Sequence, residues 1–132
     1  MGDAAKVLQS EGLLTYRGNV GYDDTPWIGH WYFSRKHWLL NGLPSGCALD
    51  WQYQEAAGGD GLMLDAPGME PVIAYGNNPG PGLGFGAVVI PVGQGQIVLL
   101  AMPGLSSAFE QDNPTGFQPV TAARIVYNAL MH

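Results

Sequence analysis

Two consecutive segments constrain this chain more than any other feature. Phe85 to Val92 and Gln96 to Met102 are almost continuously apolar, and Gly93, Gln94 and Gly95 stand between them. Glycine there supplies the positive φ angles of a tight reversal. The segments therefore predict an antiparallel hairpin at the centre of a sheet. Strands that are apolar on both sides need cover on both faces, and one strongly patterned helix, Pro119 to Met131, is available for one of them. Pro119 suits its first turn, and Val120, Ala123, Tyr127 and Leu130 form the stripe expected to pack. For the second face the N-terminal segment, an aromatic loop and another chain are all open.

The remaining elements are shorter. Asp3 to Glu11 predicts a short helix ending at Gly12, and Gly18 to Gly29 reads as a long loop with Tyr22 and Trp27 in it. His30 to Arg35 is an aromatic strand. From Cys47 to Gln54 the apolar residues alternate, so a strand buries Cys47, Leu49, Trp51 and Tyr53 on one side. Leu62 to Asp65 and Pro71 to Tyr75 are two more strands, separated by the turn residues Ala66, Pro67 and Gly68. The expected fold class is α+β: a mixed, largely antiparallel sheet with a central apolar hairpin and a packed C-terminal helix. The alternative is a truncated α/β arrangement. A length of 132 residues fits a single domain, with 1–29 as a helix and loop lead-in and 30–132 as the core.

Charge excludes several classes of partner. Eleven acidic residues against five basic ones give a net charge of -6, whereas nucleic acid and anionic membrane surfaces require clustered Lys and Arg. The longest apolar run, Ile97 to Met102, is far short of the roughly 20 residues that span a bilayer. Met1 to Gln9 carries Asp3 and Lys6 and has no apolar core, so it does not read as a signal peptide. A cytoplasmic location is expected, although a removed leader would leave no trace. The single cysteine, Cys47, excludes an internal disulfide. Charged residues make up only 12%, about half the usual share, so a partner is expected to cover part of the surface.

No motif specifies a reaction. Gly80 to Gly86 lacks both the phosphate-binding spacings and a following helix, and reads as a structural turn. Gly42-Leu43-Pro44-Ser45-Gly46 has the wrong glycine spacing for a nucleophile elbow. His30, His37 and His132 show no zinc-site spacing, and no particular pair of carboxylates is brought together for glycoside chemistry. No catalytic residue, metal or cofactor is expected. The aromatic residues are the distinctive set. Core or interface is the first reading of them, and the second is a carbohydrate platform, because the C–H face of a sugar ring stacks on an aromatic face. The candidate ligand-binding residues for the second are Trp27, His30, Trp31, Asp50 and Gln52.

Three stretches, taken together, resemble a known family. His30-Trp31-Tyr32-Phe33 leads into His37-Trp38-Leu39-Leu40-Asn41-Gly42-Leu43-Pro44, and Asp50-Trp51-Gln52-Tyr53-Gln54 follows. They resemble the aromatic strand, GLP turn and W-x-Y strand of the class I glutamine-amidotransferase-like accessory domain of LacZ-like glycoside hydrolases, which is similar to the beta-galactosidase trimerisation domain. Gly93 to Leu99 is similar to that family's hairpin and Arg124 to Leu130 to its closing helix. Trp38 stands where the family usually has proline, and Gln94 and Gln96 replace its basic residues. The resemblance covers about residues 30 to 132, the C-terminal portion only. It implies a domain without the amidotransferase nucleophile, serving oligomerisation or docking beside a hydrolase. The expected function is thus a non-catalytic accessory domain whose partner is a second copy or a hydrolase domain. A small carbohydrate-binding module and an orphan protein of unknown function are the alternatives.

Overall fold

A computed structural model describes residues 2–20, 30–48, 61–77, 82–101 and 118–132. A helix α1 (Asp3–Ser10) opens the chain and a longer one, α2 (Gln118–Met131), closes it. Between them run β1 (Thr15–Val20), β2 (His30–Ser34), a short 3-10 helix (Trp38–Leu40), β3 (Cys47–Ala48), β4 (Gly61–Asp65), β5 (Glu70–Asn77), β6 (Leu83–Val92) and β7 (Gly95–Leu100). The seven strands form one sheet in the order β1-β4-β6-β5-β2-β3, with β7 also on β6. Every pairing between them is antiparallel. This is the α+β form of the two expected, and not a truncated α/β arrangement.

The expected hairpin is present as β6 and β7, joined by a two-residue turn in which Gly93 has a φ of 59°. At ten residues β6 is the longest strand described, and its length lets three strands use it. One edge pairs with β5 from Leu83 to Val89. The opposite edge is divided, with β4 meeting it at Phe85 and β7 taking Ala87 to Val92. Two register shifts in the β5 pairing leave Val72 on one strand and Gly86 on the other as extra residues. Such bulges change which way the following side chains point. Both Val72 and Ile73 are buried as a result. Phe85 belongs to the opposite face from Ala87.

Each face of β6 supports its own cluster. Ala87 and Val89 pack with Ile73 and Tyr75 of β5, with Leu39 and Leu40 of the 3-10 helix, and with Ile125 of α2. Val88 and Ile90 pack on the other side with Leu62 and Leu64 of β4, Leu99 of β7, and Ala5 and Leu14 from the N-terminal segment. The N-terminal segment therefore covers the second face. Helix α1 ends at Gly12, with a φ of 72°, and the Leu13 N–H returns to the Leu8 carbonyl at 3.0 Å. The backbone N–H of Tyr16 donates to the Gln9 side-chain oxygen, tying α1 to β1. Residues 15–20, to which the sequence pattern assigned no strand, extend the sheet, so Gly18 to Val20 leave the expected loop.

The orientation of α2 is the principal correction. Val120, Tyr127 and Leu130, expected on the packed face, are 66%, 54% and 80% exposed, and Ala123 is exposed as well. The face turned to the sheet consists of Thr121, Ala122, Ile125 and Asn128, all buried. Small residues at 121 and 122 let the helix approach closely. Asn128 Nδ2 donates to the carbonyls of Leu39 at 2.8 Å and Asn41 at 3.0 Å, which the short 3-10 helix cannot satisfy internally.

Glycine in β6 answers to packing and not only to turns. A Cβ on Gly84 would lie 2.7 Å from the Gly61 carbonyl carbon where β4 meets β6. Backbone cannot move aside as a flexible side chain can. Gly84→Ala is therefore expected to cost about 1–3 kcal/mol, read from the shift in denaturation midpoint at an unchanged m-value. By the same measurement Ile125→Ala should cost about 2–5 kcal/mol, whereas Leu130→Ala should stay within about 0.5 kcal/mol. Equal losses at 125 and 130 would refute the orientation of the helix.

Candidate functional site

Of the five residues expected from the sequence to bind a ligand, two lie within the described residues. Trp27, Asp50 and Gln52 lie outside the described residues. His30 and Trp31 are on β2, where their backbones pair with Asn77 and Gly76 of β5. The strand expected at Cys47 to Gln54 is described only as Cys47–Ala48, paired with β2.

His37 is the histidine whose surroundings are most fully specified. Its backbone is extended (φ -156°, ψ 150°), so it caps the 3-10 helix, and Nδ1 accepts the Leu39 N–H at 3.2 Å. With Nδ1 an acceptor, the ring proton sits on Nε2, which lies 3.1 Å from Glu70 Oε2. The side chain is only 5% exposed. Both ring nitrogens are engaged, Nδ1 with the Leu39 N–H and Nε2 with Glu70. The His37–Glu70 pair thus fastens the 3-10 helix to β5. Among the described residues, no three His, Cys, Asp or Glu side chains come close enough to hold a metal ion.

From that cap the chain reaches Trp38, whose indole stacks on the His132 imidazole with ring centres 3.9 Å apart and planes 14° from parallel. The stack closes the C-terminal end of α2 over the 3-10 helix. A cleft of about 130 Å³ remains between Trp38, Asn41, Asn128, Met131 and His132. Two binding surfaces are thereby separated on α2. Its inner face is committed to the 3-10 helix through Asn128 and Ile125.

Its outer face is the larger surface. Val120, Ala123, Arg124 and Tyr127 line a groove of about 600 Å³, and Leu130 and Met131, 80% and 69% exposed, continue the same side. Arg124 carries the only charge on the helix. Its guanidinium carbon lies 5.9 Å from the centre of the Tyr127 ring, within the range of a cation–π contact. The guanidinium also lies against Gly42, where a Cβ would come within 3.4 Å of Cζ and Nε. Gly42 has a φ of 82°, which favours glycine and leaves the space Arg124 uses. Among the described residues no carboxylate comes within ion-pair distance of Arg124. Sequence periodicity located this stripe and assigned it to the interior, and the signal against that reading was the small and polar set at 121, 122 and 128.

No protein-family model, no curated protein and no solved structure matches the chain. No helix among the described residues is long and apolar enough to cross a membrane.

Removing the Asn128 amide leaves two carbonyls without their donor. Asn128→Leu is expected to cost about 1–3 kcal/mol for each carbonyl that water does not reach. Asn128→Asp places a carboxylate against two carbonyl oxygens, which raises the folded-state pKa of the introduced group above its unfolded value. Its stability deficit should therefore be largest at neutral pH and shrink as the pH falls, because the folded state then binds more protons. Denaturation midpoints of both variants between pH 4 and 7 test this, and a pH-independent deficit in Asn128→Asp would contradict it.

Proposed function

We propose that this chain is a non-catalytic accessory domain that works by association with another polypeptide, through the outward face of α2. One observation carries the reading. A well-formed helix buries Thr121, Ala122, Ile125 and Asn128, and turns Val120, Tyr127, Leu130 and Met131 to the surface. Contiguous exposed apolar side chains of this size mark interaction surfaces in proteins that otherwise keep them inside. The low charge content of the chain supports the same reading.

The short stretches that resemble the accessory domain of LacZ-like glycoside hydrolases support an architectural role beside such an enzyme. A hydrolase domain and a second copy of this chain are the partners considered. The single cysteine favours a reducing compartment, and the proposed location is the cytoplasm.

The test follows the surface itself. An environment-sensitive apolar dye should bind the native chain, and Leu130→Glu or Val120→Glu should remove that binding without lowering the thermal midpoint. Light scattering over a hundredfold concentration range should then show whether copies associate through the same residues. A native chain that stays monomeric and binds no dye would end the proposal. So would a thermal midpoint that collapses in both glutamate variants, since the stripe would then be interior.

A further inference from the structure

The partner's chemistry can be read from where charge lies on α2, given the proposed role of its outer face in association. Val120, Ala123, Tyr127 and Leu130 recur at i, i+3, i+7 and i+10. That is the alternating three-and-four spacing of the a and d positions of a helix that packs along another helix. In this frame Thr121, Ala122, Ile125 and Asn128 fall at b, c, f and b, the side that this domain buries. Arg124 falls at e, a flank where charged residues pair between helices and select the partner.

Pairing the α2 helices of two copies with each other gives this arginine no carboxylate. In an antiparallel helix pair flank e faces flank e, which here holds Arg124 and Met131. In a parallel pair flank e faces flank g, which here holds Pro119 and Val126. Neither orientation brings a carboxylate, because α2 contains no acidic residue. A desolvated guanidinium at the rim of an apolar contact is costly unless a carboxylate meets it.

We propose that the groove on α2 receives an amphipathic helical segment of a different polypeptide, with apolar residues at a and d and a Glu or Asp on the flank that meets Arg124. Tyr127 holds the guanidinium in place beneath the incoming carboxylate, and the absence of a side chain at Gly42 leaves room for it. Charges elsewhere on the acidic chain oppose this contact only weakly, since they are screened beyond about 8 Å at physiological salt.

Two synthetic helical peptides test the proposal, identical in having Leu at a and d and differing only in Glu or Lys at the e and g flanks. Each is titrated into the isotope-labelled chain and followed by NMR. The Glu peptide should bind saturably, shift amides between 120 and 131, and bind roughly three- to tenfold more tightly than the Lys peptide at physiological salt. Arg124→Glu should invert that preference and Arg124→Lys should keep its direction, with thermal midpoints confirming that both variants fold. Equal binding of the two peptides, a preference that survives Arg124→Glu, shifts confined to other elements, or no saturable binding to either would each overturn it. Should the peptides fail while the dye result and Leu130→Glu behave as above, an association surface would remain and only its acidic helical partner would be refuted. Concentration-dependent dimers broken by Leu130→Glu would identify a second copy as the occupant instead.

Discussion

The division of one edge of β6 between β4 and β7 is the constraint on which the rest of the structure depends. A strand of ten residues offers enough edge for both, but only if β4 comes very close at its start. Glycine on both sides, Gly61 and Gly84, permits that approach. Because β4 brings β1 with it, the N-terminal segment is carried over the second face of the hairpin. Both faces of an apolar strand pair are then covered within one chain.

The exposed apolar face of α2 exists because the helix has two demands placed on it. The 3-10 helix at Trp38–Leu40 leaves carbonyls that need a donor, and a buried carbonyl without one is costly. Asn128 supplies the donor, and Ile125 fills the space beside Leu39 and Leu40. Once these two residues point inward, the helical period places Val120, Tyr127 and Leu130 outward. The exposed stripe thus follows from a polar requirement in the interior. His37 belongs to the same arrangement, since its cap on Leu39 and its contact with Glu70 hold the segment that Asn128 reads.

Parts of this were legible before the structure, and for a local reason. The hairpin, the end of α1 at Gly12 and the turn at Gly68 depend on glycine conformations and on apolar runs, which a sequence displays directly. β1 was not legible, because Thr15–Val20 buries only Val20, and a register shift near Gly18 breaks its alternation. The candidate ligand residues were chosen as aromatic and polar types in loops and strands. Three of the five, Trp27, Asp50 and Gln52, lie outside the described residues.

The amino-acid sequence by itself determined the central hairpin, the two terminal helices and the strands around Gly68, because turn chemistry and hydrophobic period act over a few residues. It also set the acidic balance of the chain, eleven acidic residues against five basic ones. Only the tertiary structure decided which side of α2 faces inward. Periodicity ranks a helix face by its apolar content alone, whereas the folded chain ranks it by what the neighbouring surface lacks. Here that surface lacked an amide donor, and Asn128 took the inner face from Tyr127 and Leu130.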